Sequence, residues 1–467
     1  MSGPAVSLDG QPDRVRQRLV IVLPTTGEFD SRTYRIARSA AARGHSVTVL
    51  ARWAPGLPRE ETHSAGYRIV RTPVSVTEGL PLPAALRRLA DRIRIRIRSA
   101  PERSIDAAAK VGIPAEERAA RSTERAQPPL DRRRGRLRGL LNGPWRIAAI
   151  VLVVRSQIRS AAGADPGAEI YHAMAYMGIP VGLALADRSG GATIYDARDI
   201  YVDANNLARL PRVARWLLGR LERHWATRAD RIMTVNRPYA SVMEQRWRVA
   251  RPAVILNCAS RYEPTSPAPR LFHERLSLEP GRRVVLYQGG FSRHRGIEQL
   301  MTAILAVPDA VLVLLGYGPL ATELESLVAQ PDLAERVWIL PAVPPPDLLD
   351  WVASADVVAM PIQPSTLNHR LTTPNKLFEA IAVGVPVVAS DLPGMAGIVA
   401  ETGCGLVVDP TDATAIASAL RAILDLPDAD RQALHDRCLA AAHATYNWEA
   451  QAEVLFDEYA RLTGKPW

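Results

Sequence analysis

"TTPNKLFEAIAVGVPVVAS", residues 372–390, changes its hydrophobic period halfway along. In its first part Leu377, Ala380, Ile381 and Gly384 fall on one helical face. In its second, VPVVAS is a short valine-rich run behind a Gly–x–Pro turn, which reads as a buried strand. Helix, glycine stop and buried strand make half of a βαβ unit. Thr373 is the expected N-cap and Pro374 suits the first helical position, so the partial positive charge of the helix start falls beside Lys376 and disfavours it. Something negative is expected there.

Outward from this stretch, apolar strand-like runs alternate with helical patterns, the mark of parallel sheets with crossover helices. The alternation occurs twice. The first series holds RLVIVLP (18–24), SVTVLAR (46–52), GATIYDA (191–197), ADRIMTV (229–235) and PAVILN (252–257). The second holds RRVVLYQ (282–288), AVLVLLG (310–316), RVWILP (336–341), ADVVAMP (355–361), VPVVAS (385–390) and GLVVD (405–409). Between them, CASRYEPTSPAPR (258–270) has the prolines and polar residues of a linker. The predicted fold is therefore α/β, with two doubly wound, Rossmann-like domains, 18–257 and 271–445, behind a polar, disordered lead-in at 1–17.

A chain of 467 residues, 47% hydrophobic and 23% charged, has room for two cores. Cys258, Cys404 and Cys438 are far apart and lack CxxC spacing, which suggests neither a disulfide framework nor a thiolate metal site and fits a reducing, cytoplasmic setting. No signal peptide is expected. The uncharged stretch 170–186 is broken by His172, Gly178, Pro180 and Gly182, so it reads as strand, loop and helix, not a membrane span. The net charge is +10, but residues 86–138 carry sixteen Lys or Arg against seven Asp or Glu and so hold nearly all of the excess. That insert lacks the interleaved aromatics of single-strand binders, which argues against nucleic acid as a partner.

Ligands of open α/β sheets lie beyond the carboxyl ends of the strands. There QGGFSRHRG (288–296) offers Gly289 and Gly290 for close backbone approach and Arg293 and Arg295 as donors to phosphate. GYGP (316–319) adds a tight turn with Gly316 and Gly318, and Pro341 closes the third strand of the series. Thr373, Asn375 and Lys376 start a helix whose free N–H groups favour anions. Together these predict a diphosphate site. Glu379 follows Lys376 by three residues. A surface ion pair in that order is worth only about 0.2 to 0.5 kcal/mol, whereas a carboxylate beside a phosphate site can accept both hydroxyls of a ribose.

The residues 374–420, PNKLFEAIAVGVPVVASDLPGMAGIVAETGCGLVVDPTDATAIASAL, resemble the Lys–aromatic–Glu helix, Gly–x–Pro turn and donor loop of the GT-B glycosyltransferases, in particular the retaining, sugar-nucleotide-dependent family 4. FDSRTYRIARSAAARGHSVTVLAR (29–52), IYDARDIYVD (194–203) and YNWEAQAEVLFDEYARL (446–462) resemble further stretches of that family. The resemblance implies two domains facing across a cleft, with 446–467 crossing back onto the first. It implies hexosyl transfer from a nucleoside-diphosphate sugar, of the UDP or GDP kind, to a carbohydrate or lipid-linked acceptor, with retention and without a metal or other cofactor. Glu379 matches the second glutamate of the family's paired motif, and Leu371 stands in place of the first. Arg295 stands where a phosphate-binding lysine is usual. Gly290 replaces an arginine, for which Arg293 is the candidate substitute. His172 resembles the first histidine of a His–x–His stretch lining the donor sugar, with Met174 replacing the second. Arg295, Lys376 and His172 are thus the expected catalytic residues, and Gly27, Asp30, Arg32, Asp196 and Asp199 the acceptor-side candidates.

Three other readings stand beside transfer. A nicotinamide dehydrogenase shares the doubly wound pattern, but PTTGEFDSR (24–32) has one glycine where the dinucleotide fingerprint has three. A sugar-nucleotide epimerase and a catalytically silent sugar-nucleotide scaffold share the fold. Finally, the basic insert and the apolar run after Trp145 predict contact with an anionic membrane surface through 86–145; the competing reading is a solvated loop.

Overall fold

The computed structural model describes residues 16–28, 30–75, 132–204, 207–263 and 269–467, without the side chains of 132–146. Residues 1–15 of the expected lead-in, 86–131 of the basic insert and 264–268 of the linker lie outside the described residues.

The first sheet is built from β1 (Arg18–Val22), β2 (Ser46–Arg52), β3 (Glu60–Thr62), β4 (Arg68–Thr72), β5 (Ile170–Met174), β6 (Ala192–Ala197), β7 (Arg231–Thr234) and β8 (Ala253–Val254). Its order is β3-β4-β2-β1-β5-β6-β7-β8. All neighbours are parallel except β3, which runs antiparallel to β4. The second contains β9 (Arg283–Gly290), β10 (Ala310–Tyr317), β11 (Val337–Pro341), β12 (Val357–Met360), β13 (Val387–Ser390) and β14 (Gly405–Val408). Its order is β11-β10-β9-β12-β13-β14, parallel throughout. Helices cover both faces of a parallel sheet, so its strands are apolar on both sides. Leu19 to Val22 and Val311 to Leu314 are accordingly buried residue after residue. Both sheets reverse direction of winding beside their first strand, and the crevice at such a switch is where ligands sit.

The short edge pair β3–β4 was not expected from sequence. EET and RIVRT carry charges that blunt an apolar pattern, as edge strands do, and buried Arg71 is neutralised there by Glu61 at 2.7 Å.

The opening stretch folds as helix Asn375–Ala382 and strand β13, with Leu377, Ala380 and Ile381 fully buried. Its start differs from expectation. Pro374 occupies the cap position and no side chain caps the helix. The Thr373 hydroxyl instead donates to the Gly394 carbonyl at 3.0 Å and accepts from Asn236 Nδ2 of the first domain at 3.0 Å. A tertiary partner has displaced the local one.

The last helix, Trp448–Thr463, packs on the first domain, where Trp448, Leu455, Phe456 and Tyr459 join the cluster around Leu19, Ile21 and Ile36. Glu458 clamps Arg231 through both carboxylate oxygens, at 2.5 and 3.1 Å. The three cysteines are free and buried. Among the described residues no helix is long and apolar enough to cross a membrane, the 31-residue helix Arg132–Ala162 included.

Candidate functional site

Between the two sheets lies a cleft of about 490 Å³. Gly289 and Gly290 end β9 in its floor, Lys376 and Glu379 reach it from helix Asn375–Ala382, and Arg32, Arg198 and Asp199 face it from the first domain.

Lys376 is the centre of the site. Its ammonium lies 3.5 Å from the centroid of the Tyr287 ring and has no hydrogen-bond partner, although the residue is nine-tenths buried. Gly289, at φ 120°, passes close by, and a side chain's Cβ there would come within 3.7 Å of Lys376 Nζ. Burial lowers the pKa of Lys376 well below its ordinary value, Arg295 lowers it further, and Glu379 opposes both. A buried cation without a partner costs free energy until an anion arrives.

Arg295 sits in the loop after β9, which is anchored on both sides. Phe291 N donates to Tyr317 O at 2.7 Å, and Gln363 N donates to His294 O at 3.0 Å. Gly296 closes the loop against Pro361, whose carbonyl would lie 2.1 Å from any Cβ at that position. Within the protein the guanidinium has only a long contact, 3.4 Å, to Ser292 Oγ. Two cations therefore converge on glycine backbone with their hydrogen-bonding capacity largely unspent.

Glu379 lies deeper. Burial raises its pKa, while Arg35 of the first domain, a 3.5 Å bond from Gln288 Nε2, and Lys376 hold it down. No motif in the sequence marks Arg35, although it shares a helix face with Arg32, three residues earlier. It donates to Asn257 Oδ1 at 2.9 Å, and Asn257 Nδ2 donates to Asn375 Oδ1 at 2.9 Å, which ties the first domain to the helix that carries Lys376. Asn368 makes a second tie: Ile200 N donates to its Oδ1 at 2.8 Å and its Nδ2 donates to Asp199 Oδ1 at 2.9 Å. Burial raises the Asp199 carboxyl against that bond and the charges of Arg198 and Arg295.

The structure thus gathers Gly289, Gly290, Arg295, Gly316, Thr373, Asn375, Lys376 and Glu379 on the second domain's side, and Arg32 and Asp199 on the first domain's. Other candidates lie elsewhere. Arg293 is two-thirds exposed and faces Glu323 at 3.7 Å, so it does not take the place left by Gly290. Gly318 packs against Phe291, where a Cβ would meet the backbone at 2.3 Å, and Pro341 ends β11 at an exposed position. Gly27 takes the left-handed turn after β1, and Asp30 caps helix Ser31–Ala42 while accepting Arg198 at 2.7 Å on both oxygens. Leu371 packs with the first-domain apolar cluster that includes Tyr239 and Trp247, and its carbonyl accepts from Asn236 Nδ2 at 2.9 Å. An interdomain contact occupies the position of the missing glutamate.

His172 and Asp196 are removed from the cleft altogether. Both are fully buried beneath it. His172 Nε2 lies 3.1 Å from Asp196 Oδ2 and its Nδ1 lies 2.7 Å from the Tyr459 hydroxyl, while Arg32 Nε donates to Asp196 Oδ2 at 2.6 Å. Burial pushes the Asp196 carboxyl up, but Arg32 and His172 together hold it below the ordinary carboxylate range. The four residues fasten the last helix to the first domain. In this structure His172 is a packing and hydrogen-bonding residue, because it lies inside β5 on the face that meets that helix.

Residues 282–426 match the family model described as Glycosyl transferases group 1. A D-inositol 3-phosphate glycosyltransferase of Xylanimonas cellulosilytica is 33% identical over 221 residues, 46% of this chain and 51% of the relative. A GDP-mannose-dependent alpha-(1-6)-phosphatidylinositol monomannoside mannosyltransferase of Mycolicibacterium smegmatis is 31% identical over 172 residues, 36% of this chain and 45% of the relative. The chain spans about half the length of the curated relatives it matches. Among solved structures, sucrose-phosphate synthase from Thermosynechococcus elongatus superposes with a TM-score of 0.67 at 21% identity, over 96% of this chain and all of the other. The Anabaena protein HepE, solved in complex with UDP, gives a TM-score of 0.59 at 13% identity, over 95% of this chain and all of the other. Residues 282–426 are therefore similar to the glycosyl transferases group 1 family, and the chain as a whole carries the two-domain GT-B fold seen in solved glycosyltransferases.

Proposed function

We propose that this chain moves a hexosyl group from a nucleoside-diphosphate sugar, held by the second domain, to a carbohydrate or lipid-linked acceptor facing the first. One observation carries the reading: a buried, unpartnered ammonium, Lys376, beside Arg295 and the glycine backbone at the end of β9. A diphosphate would supply the missing counter-charge. Glu379, behind them, is placed to accept the ribose hydroxyls.

Departure of the nucleoside diphosphate places negative charge on phosphate oxygens. Arg295, Lys376 and the start of helix Asn375–Ala382 would meet that charge as it grows, from positions the fold fixes beforehand. No metal is assigned to this step, since the two cations take its role. In a retaining course the leaving phosphate accepts the acceptor's proton on the same sugar face, so no separate base is required. Asp199, with its raised pKa, is assigned to orient the acceptor hydroxyl. The relatives favour transfer over epimerisation. The same reading places the chain in the cytoplasm, with the acceptor presented at an anionic membrane surface near the basic segment 86–145.

Calorimetric titration with UDP and GDP tests the donor half. Lys376→Ala and Glu379→Gln should each weaken the preferred nucleotide by about 1.5 to 3 kcal/mol, the worth of a charge-assisted hydrogen bond, while the folded protein persists. Unchanged affinity in both variants would remove Lys376 and Glu379 from the donor site. Slow hydrolysis of the matching nucleotide sugar separates an enzyme from a silent binder.

A further inference from the structure

Helix Arg212–Ala226 is apolar on two sides. Its inner stripe, Ala214, Leu218 and Ala226, is buried as a core-facing stripe should be. Its outer face should then be charged, yet Val213, Trp216 and Leu217 stand 70, 59 and 44% exposed, three of the eight large hydrophobic residues exposed among those described. Their spacing sets them on one ridge. Arg209, Arg212, Arg220 and Arg223 flank it, all exposed, and the Arg220 guanidinium lies 5.1 Å from the Trp216 ring centroid. Glu222, the helix's single acid, faces inward against Tyr195 at 2.7 Å. Beside the ridge runs a groove of about 420 Å³ whose lining includes five arginines against one aspartate, Asp203.

We infer that this face docks on a bilayer containing anionic phospholipid, with Val213, Trp216 and Leu217 entering the headgroup region and the arginine-lined groove taking lipid phosphates. Charge chooses the occupant. A second copy of the chain, related by a two-fold axis, would set arginine against arginine, and the chain's own insert at 86–138 is itself basic. Aromatic and aliphatic side chains ringed by arginine are the composition of an interfacial helix, and stable attachment takes two such signals. The basic composition of the insert offers the second. The inference deepens the membrane part of the preceding proposal and is independent of sugar transfer.

Flotation of the full chain without nucleotide tests it. Phosphatidylcholine vesicles containing phosphatidylglycerol should carry wild-type protein upward at low salt, and pure phosphatidylcholine vesicles should not. The triple variant Val213→Ser, Trp216→Ser, Leu217→Ser should keep its thermal transition and lose about ten-fold in partitioning. Brominated lipid should quench a share of the fluorescence that disappears in Trp216→Phe. Lys376→Ala should float as wild type does, so a failed donor site and a failed docking surface give different results. The inference is overturned if wild type stays down with anionic vesicles, if the triple variant floats unchanged, or if the triple variant merely converts a dimer to a monomer.

Discussion

Two groups of charge in this molecule behave in opposite ways. Under the first sheet, Arg32, Asp196, His172 and Tyr459 bond mainly to one another. In the cleft, Lys376 and Arg295 lean on an aromatic ring and a serine and spend little of their charge. Residue type does not separate them, since both contain a buried cation near a carboxylate. Pairing does: in the first group Arg32 and Asp196 neutralise each other, although Arg32 Nη2 and Asp196 Oδ1 make no hydrogen bond, whereas in the second the Lys376 ammonium has no hydrogen-bond partner at all.

The strongest way to break this contrast is to remove the acid from the paired group. Asp196→Ala leaves Arg32 buried without its counter-charge, and taking one partner from a buried pair costs about 3 to 5 kcal/mol. Urea denaturation should show a loss of that size, with nucleotide affinity unchanged in the protein that remains folded. A stable Asp196→Ala with a crippled donor site would move Asp196 from the scaffold into the active centre.

The same operation in the cleft should have the opposite sign. Lys376→Met removes an unpartnered polar group from a buried position, which is worth about 1 to 3 kcal/mol, and so should raise the stability of the nucleotide-free protein while weakening diphosphate binding. Destabilisation would mean that the contact with the Tyr287 ring already satisfies the ammonium.

Proton linkage sharpens this further. Lys376 has a depressed pKa in the free fold and the ordinary 10.5 in the unfolded chain. Between those values the unfolded state holds the extra proton, so stability rises with pH through that window. A bound diphosphate reverses the depression, and binding there takes up a proton. Calorimetry in buffers of different ionisation enthalpy should detect the uptake, and Lys376→Met should abolish it.

Sequence showed the first of these groups poorly and the second well, for a physical reason. Lys376, Glu379, Gly289 and Arg295 announce themselves because each violates or punctuates a local pattern, and the second domain's strands are long enough for their period to show. The strands β3 and β4 are short, charged and at an edge, so no period marks them. Thr373 has the local chemistry of a helix cap, but a partner more than a hundred residues away claims its hydroxyl. Leu371 and Asn368 gain their meaning only from the first domain they touch. Arg293 sits in the same loop as Arg295, two residues before it, yet points to solvent, and direction is what spacing cannot give.

His172 carries the smallest and sharpest test. Alternation puts it on the same face of β5 as Ile170 and Met174, both core residues, which was the available sign that it faces inward. Its second partner, Tyr459, is 287 residues away and has no local signature. Tyr459→Phe removes only the hydroxyl that His172 Nδ1 meets, and an ordinary buried hydrogen bond contributes about 0.5 to 1.5 kcal/mol. Stability should fall by that amount with turnover unaltered, because the imidazole stays beside Asp196 and outside the lining of the cleft. If His172 instead worked on the donor, loosening its ring would change the tautomer presented to the cleft, and turnover would fall with stability unmoved. Denaturation and donor hydrolysis measured on the same preparation of Tyr459→Phe decide between those outcomes.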